Sequence, residues 1–425
     1  MTRLHKYDVV IIGAGPGGLA AAIAAKQNGA DDVLLIERDK ELGGILQQCI
    51  HNGFGLEVFH KDLPGPAYAQ RFINDALSLG VEPLLDTMVL DISPQRRILA
   101  SGKSSGFVDV QARAIVLAMG CRERTRAQIR IPGARPAGVY TAGTAQRWVN
   151  VEGYMPGERY VILGSGDIGM IMARRLTLEG AQVERVLEVM PFLTGLTRNY
   201  VQCLMDYDIP LNLSHTVQRI IGKDRVEAVE SVQVDERWTP IPGTEQIIPC
   251  DTLLLSVGLI PENELSRLAG VQIDPITGGP FVDDHFETNV PGVFAAGNVV
   301  HVYDLVDWVS EAGKQAGASA AKFAVQERRR ETAHVPLIPG ENVRYLVPQT
   351  LDRESLAFNN VRLQLRVRQP IEQPVWVEVR SKGNLVVRKG ELYARPGEII
   401  TMEIPVRAYD EVQIADSLTV AVVKR

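Results

Sequence analysis

Two glycine triplets and one cysteine–histidine pair hold the residues whose types and spacing could do chemistry. Gly13, Gly15 and Gly18 in IIGAGPGG, and Gly164, Gly166 and Gly169 in ILGSGDIG, both read G-x-G-x-x-G, and an acid follows each, Glu37 and Glu188. The first glycine of such a triplet permits a tight turn, the second lets a pyrophosphate approach the backbone, and the third lets helix and strand pack closely. The N–H groups at the helix start then face the phosphates, and the acid accepts hydrogen bonds from a ribose. The third candidate is GGILQQCIHNGFG, Gly43 to Gly55, with Cys49 and His51. A redox or nucleophilic thiol needs thiolate character, which His51 or a helix N-terminus could supply. The alternative is a small buried cysteine with no chemical role.

The elements that must position these residues are legible on either side of them. YDVVIIGAGPGGLAAAIAAKQNGADDVLLIE and RYVILGSGDIGMIMARRLTLEGAQVERVLEV each read as apolar strand, glycine turn, helix, closing glycine (Gly29 or Gly180) and second strand. This βαβ pattern, met twice, predicts two dinucleotide sites. VEPLLDTMVLDIS, RRILASG and FVDVQARAIVLAMG predict an antiparallel excursion inside the first domain. The fold class expected is α/β: two Rossmann-like, three-layer ββα dinucleotide-binding domains plus a small C-terminal all-β domain. Charge-rich Gln326 to Gly340, with its prolines, reads as a linker. Beyond it VRLQLRVR, VWVEVR, NLVVRKGEL, IITMEIPV and LTVAVV alternate, predicting strands with one buried face and an exposed arginine-rich face.

Composition narrows the function classes. At 425 residues the chain exceeds one core of roughly 250 to 300 residues. A net charge of -6 gives no electrostatic reason to expect nucleic acid or an anionic membrane as partner. Cys49, Cys121, Cys203 and Cys250 are scattered, with no CxxC pair and no ligand spacing to histidines, so neither a metal site nor a disulfide-stapled fold is expected. Arg3 and Lys6 ahead of an apolar run imitate a leader, but Asp8 and the spaced glycines interrupt it. A cytoplasmic location without a transmembrane segment is the expectation, with a homo-oligomer left open.

Several ordered motifs carry a resemblance. The two triplets flank an AMG strand ending at Gly120, then come SVGLIPEN, Ser256 to Asn263, and TNVPGVFAAGN, Thr288 to Asn298. Together they resemble the FAD- and NAD(P)-dependent pyridine nucleotide-disulfide oxidoreductase superfamily. The resemblance implies that Gly13, Gly15, Gly18, Glu37, Gly43, Gly44 and Gly120 hold FAD, that Gly164, Gly166, Gly169 and Glu188 hold the nicotinamide cofactor, and that Gly297 and Asn298 contact the ribityl chain. It implies domain limits of 1–121 with 255–330 for FAD, 122–254 for the insertion, and 340–425 for the β domain. An acid at Glu188 favours NAD(H) over NADP, with Arg185 near enough to keep register at issue. The superfamily ends its last motif in Gly-Asp, where this chain has Gly297-Asn298; an amide can still bond hydroxyls.

Disulfide reductases of this kind place C-x4-C after the GG or C-x-x-C in the inserted domain. Here Cys49 stands alone and the second region reads TAGT, Thr141 to Thr144. GG-x-L with PG...GVYTAGTAQ is instead similar to the amine-oxidising branch: FAD subunits of opine oxidases, hydrogen cyanide synthase and sarcosine oxidase. CIHNGFG, GCRERTR and HVYDLVDWVSEAGKQAG resemble bacterial oxidoreductases that accompany a glycerol-3-phosphate-dehydrogenase-like flavoprotein and a small cysteine-rich protein. The expected function is therefore an FAD-dependent, NAD(H)-linked oxidoreductase exchanging electrons with a partner flavoprotein or small acceptor, without a dithiol. The alternatives are a component of an amine, opine or glycerol-3-phosphate dehydrogenase that oxidises substrate at this flavin, or a non-catalytic structural component. His301, Asp304 and Trp308, at the helix start beside the expected flavin, serve either that ring or local packing.

Overall fold

Apolar runs and glycine turns build the first sheet as the sequence predicts. The computed structural model describes residues 4–326 and 333–425. The strands are β1 (His5–Ile12), β2 (Val33–Ile36), β3 (Glu82–Leu84), β4 (Thr87–Ile92), β5 (Arg97–Gly102) and β6 (Gly106–Leu117), in the order β3-β2-β1-β6-β5-β4. β6 does two jobs. Its first half pairs antiparallel with β5, and its second half pairs parallel with β1 on one edge and with Val293–Ala295 on the other. The antiparallel excursion is thus an extension of the same sheet.

Helix α1 (Pro16–Gln27) is buried from Gly17 to Ala25, as expected of a helix with no polar face. It shares one core with the sheet and with the helix Val306–Gln326, which also packs on the sheet. Small residues let the two backbones meet: a Cβ on Gly313 would stand 2.2 Å from the Gly17 carbonyl oxygen, and one on Gly317 would stand 2.1 Å from that of Ala21. Helix α2 (Gly65–Ser78) adds Tyr68, Ala69 and Phe72 to the same core, and the Tyr68 hydroxyl is 2.8 Å from Ser310 Oγ.

The chain divides into two units, residues 1–121 with 261–425, and residues 122–260. In the second unit, parallel strands run in the order Leu211–Leu213, Gln182–Glu188, Arg159–Leu163, Thr252–Leu255 and Val139–Thr141. Helix Asp167–Leu178 packs Met170, Met172, Ala173 and Leu176 against them. A three-stranded antiparallel sheet, His215–Gly222, Val226–Gln233 and Gln246–Pro249, covers the other face.

The C-terminal residues form two β-sheets around an aliphatic core and belong to the first unit. Two sequence expectations change here. The linker expected over Gln326 to Gly340 is a strand from His334 to Pro339, because Val335 and Leu337 alternate into the core and keep the prolines outside; residues 327–332 lie outside the described residues. The arginine-rich face is not uniformly exposed. Arg366 reaches inward, where its guanidinium pairs with Asp304 and donates to Tyr345 Oη at 3.0 Å and to the Val302 and Pro396 carbonyls, both at 3.2 Å. The other Asp304 oxygen accepts the Ile399 N–H at 2.6 Å, so a buried ion pair with every group bonded clasps the C-terminal strands to the loop before the long helix. Among the described residues no helix is long and apolar enough to cross a membrane.

Candidate functional site

The first glycine loop joins β1 to α1. Gly13 has φ +101°, and a Cβ there would lie 2.4 Å from the Ala118 carbonyl oxygen, so only glycine fits. A Cβ on Gly18 would fall 1.8 Å from the Gly13 oxygen. Gly15 differs: nothing lies within 4 Å of the point where a side chain would begin, which leaves a phosphate-sized approach to the backbone at a helix N-terminus without an acid in its first turn. Gly43 and Gly44 complete the cradle. The Gly43 N–H donates to the Ala14 carbonyl at 2.9 Å, and a Cβ on Gly44 would touch Gly15 Cα at 2.9 Å. Buried Glu37 accepts the Ala14 N–H at 2.7 Å through Oε2 and the Asp39 N–H at 2.9 Å through Oε1, with lone pairs remaining for a ribose. These residues fit a dinucleotide.

Gly120, with open space at its Cβ, ends the strand segment beside this loop, and Gly297 opens the turn after Val293–Ala295. The Asn298 amide is committed at both ends: Oδ1 accepts the Tyr303 N–H at 3.1 Å, and Nδ2 donates to Cys121 Sγ at 3.6 Å. A carboxylate could not make the second bond, which gives asparagine a local reason to stand where the superfamily has aspartate.

In the second unit Gly164 has φ +101°, and its Cβ would lie 2.1 Å from the Ser256 carbonyl oxygen. Ser256 Oγ accepts the Gly169 N–H at 3.0 Å and would be 3.0 Å from a Cβ on Gly166. Glu188 closes its strand and accepts four hydrogen bonds. Its Oε2 accepts from the Ser165 N–H at 2.8 Å, Ser165 Oγ at 2.7 Å and Thr194 Oγ1 at 2.9 Å, and its Oε1 accepts the Met190 N–H at 2.9 Å. Asp167, the first helix residue, accepts the Leu196 N–H at 2.9 Å and Asn199 Nδ2 at 2.7 Å. The segment after the strand is therefore laced onto the glycine loop. Arg185 lies inside the strand and donates to Gln246.

Cys49 ends a 3-10 turn, Gly44–Gln48, with its Sγ donating to the Ile45 carbonyl at 3.3 Å. Burial pushes its thiol up to about 12, which favours the neutral form. His51 Nδ1 sits 2.9 Å from the Asn52 carbonyl oxygen, and its ring packs on Phe54 with centroids 5.0 Å apart. A residue that spacing did not flag holds this segment in place: buried Asp307 accepts the Gly55 N–H at 3.3 Å and the Val58 N–H at 3.2 Å. Beside it Trp308 Nε1 donates to Glu57 at 2.8 Å. An aspartate in an apolar helix start was the available signal, but its partners lie far away in sequence. His301 is sealed against the Tyr303 and Tyr345 rings, 4.1 and 5.8 Å between centroids; burial first and the Arg366 charge second lower its pKa to about 3, so it is neutral near pH 7.

The family model described as pyridine nucleotide-disulphide oxidoreductase matches residues 7–327. Among curated relatives, an opine oxidase subunit of Agrobacterium tumefaciens is 26% identical over 339 residues, 75% of this chain and 64% of that protein, so the chain spans under two thirds of that relative's length. The thioredoxin reductase of Listeria innocua is 27% identical over 297 residues, 69% of this chain and 86% of that protein. The crystal structure of T. acidophilum thioredoxin reductase superposes with a TM-score of 0.62 at 23% identity, over 76% of this chain and 99% of that one, which shows a shared fold. Two glycine-loop βαβ units, the crowding that only glycine tolerates at Gly13 and Gly164, and a family match over most of the chain lead to one conclusion: the chain belongs to the pyridine nucleotide-disulphide oxidoreductase family.

Proposed function

We propose that this chain exchanges electrons between NADH and its flavin and passes them to a partner flavoprotein dehydrogenase, itself associated with a small cysteine-rich protein, or to a small acceptor, without a dithiol of its own. Residues 1–121 with 255–330 hold FAD through Gly13, Gly15, Gly18, Glu37, Gly43, Gly44, Gly120, Gly297 and Asn298. Residues 122–254 hold the nicotinamide cofactor through Gly164, Gly166, Gly169 and Glu188, and residues 340–425 serve as the accessory β domain. Bound FAD supplies two-electron exchange with a nicotinamide and one- or two-electron exchange with an acceptor.

The observation that carries this reading is the state of Cys49, the cysteine in the loop that follows the first cradle. Its thiol donates to a carbonyl and is pushed up to about 12 by burial, the opposite of what thiol relay chemistry needs. Among the described residues none of Cys49, Cys121, Cys203 and Cys250 is in a disulfide. The carboxylate of Glu188 at the end of its strand supports NAD over NADP, because it repels a 2'-phosphate. The name of the Agrobacterium relative marks it as one subunit of an oxidase, which supports a partner here.

Anaerobic titration of the purified protein with NADH, followed by flavin absorbance, tests the reading. Bleaching complete at one NADH per flavin is the expected result; a requirement for two would reveal a second two-electron centre, and no bleaching would remove the proposal.

A further inference from the structure

Outside the cradles, three carboxylates are buried together in the first unit, along the seam between residues 282–287 and the C-terminal strands. Asp283 is 8% exposed, Asp284 5% and Asp352 1%. Hydrogen bonds fasten the seam. The Gln349 N–H donates to the Val282 carbonyl at 3.0 Å, Gln349 Oε1 accepts the Val282 N–H at 3.0 Å, and the Asp352 N–H donates to Asp284 Oδ1 at 2.7 Å. Taking carboxylates out of water is costly unless positive charge comes with them. Among the described residues no lysine or arginine pairs with any of the three. Arg353, next to Asp352, turns its guanidinium to the Val412, Gln413 and Ala415 carbonyls. From the Val306–Gln326 helix, Gln315 donates to the Asp284 carbonyl, Glu311 pairs with Lys314, and Lys322 lines the neighbouring groove. Glu354 gives Asp352 Oδ1 its N–H at 3.0 Å, and Glu287 Oε1 accepts the Gly292 N–H at 2.9 Å.

The cations paired with these carboxylates are two imidazoles, one from each side of the seam. His285 Nε2 lies 3.6 Å from Asp352 Oδ2, 4.0 Å from Asp284 Oδ2 and 3.0 Å from Ser355 Oγ. His334, the first residue of a C-terminal strand, places Nε2 3.3 Å from Asp283 Oδ2, while Asp283 Oδ1 accepts the His285 and Glu287 N–H groups, both at 2.9 Å. Each histidine thus reaches an aspartate across the seam. Their side chains are 41% and 37% exposed, so both rings exchange protons with solvent although their partners are buried. Burial works against a charge on His285, but Asp352, Asp284 and Asp283 outweigh it and raise its pKa to about 9. The bond to Asp283 is the largest influence on His334 and raises it as well.

We propose that these residues form a proton-operated latch: His285 and His334, when protonated, pair across the seam with Asp352 and Asp283 and hold the C-terminal strands to residues 282–287, and the latch loosens as the rings lose their protons in alkaline solution. Both histidines are raised above the unfolded value near 6.5. The latch is therefore complete between the carboxylate range and about pH 6.5, and it is lost as pH rises through the folded values. The opening equilibrium grows by up to about tenfold per pH unit for each histidine over that range. The latch rests on no reading of the electron-transfer chemistry.

The test compares backbone amide exchange, read by mass spectrometry at matched pH, in the full-length protein and its variants. At about pH 7, amides of residues 281–287 and 349–354 should exchange about tenfold or more faster in His285→Gln than in the wild type, and the gap should narrow severalfold by about pH 9.5. His285→Lys, whose charge persists through that range, should stay protected at both values, which a loss of ring shape alone would not reproduce. NMR of carbon-13-labelled histidine rings needs no change at His285: its ring should titrate at about 9 in the wild type, and Asp352→Asn should bring it down toward 6.5. If His285→Gln does not fold, this ring titration decides the matter. Equal exchange of wild type and His285→Gln at about pH 7, a gap of unchanged size at about pH 9.5, or a His285 ring titrating at or below about pH 6.5 would each overturn the proposal. None of these outcomes depends on NADH, so failure of the flavin-reduction test leaves this one intact.

Discussion

The two glycine loops share spacing, strand-end acid and backbone turn, yet they differ in how much of each is already bonded. Glu37 accepts two backbone N–H groups, whereas Glu188 accepts four donors. The first helix starts at Pro16 with no acid in its first turn; the second starts at Asp167, an acid in its first turn that accepts from Leu196 and Asn199. Gly15 faces open space, while Gly166 is backed by Ser256. One motif is thus set two ways: a bare helix N-terminus in the first unit and a self-bonded one in the second.

The largest test of that contrast replaces the first glycine of each loop. Gly13→Val should purify without flavin absorbance, because its Cβ drives into the Ala118 carbonyl, while Gly164→Val should keep its flavin and lose bleaching by NADH. Flavin loss in both variants would erase the distinction. Next in size is the clasp in the first unit: Asp304→Ala leaves the Arg366 charge buried and unpaired, and should cost about 3–5 kcal/mol in chemical denaturation. Restoring stability with a second change, Arg366→Met, would confirm that the unpaired charge is the cause.

The two acids give a smaller, direct comparison. Glu188→Gln must turn an amide NH2 toward donors and should cost about 2–3 kcal/mol in urea unfolding, against about 1–2 kcal/mol for Glu37→Gln, which leaves fewer donors unmatched. Equal costs would mean that the extra bonds to Glu188 contribute nothing. Acidification probes the loop beside the first cradle. His301 has a folded pKa of about 3 and an unfolded value near 6.5, so the unfolded chain binds the proton first. Stability from this residue is complete above about pH 6.5 and should fall by about 1.4 kcal/mol per pH unit from there toward pH 3; His301→Phe should flatten that slope. The smallest effect concerns the second helix N-terminus, where Asp167→Asn should tighten NADH binding about two- to fivefold, read by fluorescence titration.

Both loops, the helices after them, the strand that ends at AMG and the β character of the C-terminal residues were legible in the sequence. Each is encoded locally: a turn that needs φ near +100° admits glycine alone, and a run of alternating or apolar residues declares its own period.

What tertiary structure alone decided are contacts between residues far apart in sequence. Arg366 looks like any outward arginine in VRLQLRVR until Asp304 is brought beneath it, and Asp307 looks like a helix residue until Gly55 and Val58 arrive with N–H groups to satisfy. His334 to Pro339 reads as a linker because its prolines are visible in sequence, while the neighbours that bury Val335 and Leu337 are not. In GGILQQCIHNGFG the residue types point to thiol chemistry, but only the packed environment raises the Cys49 thiol, because desolvation is a property of everything around a group.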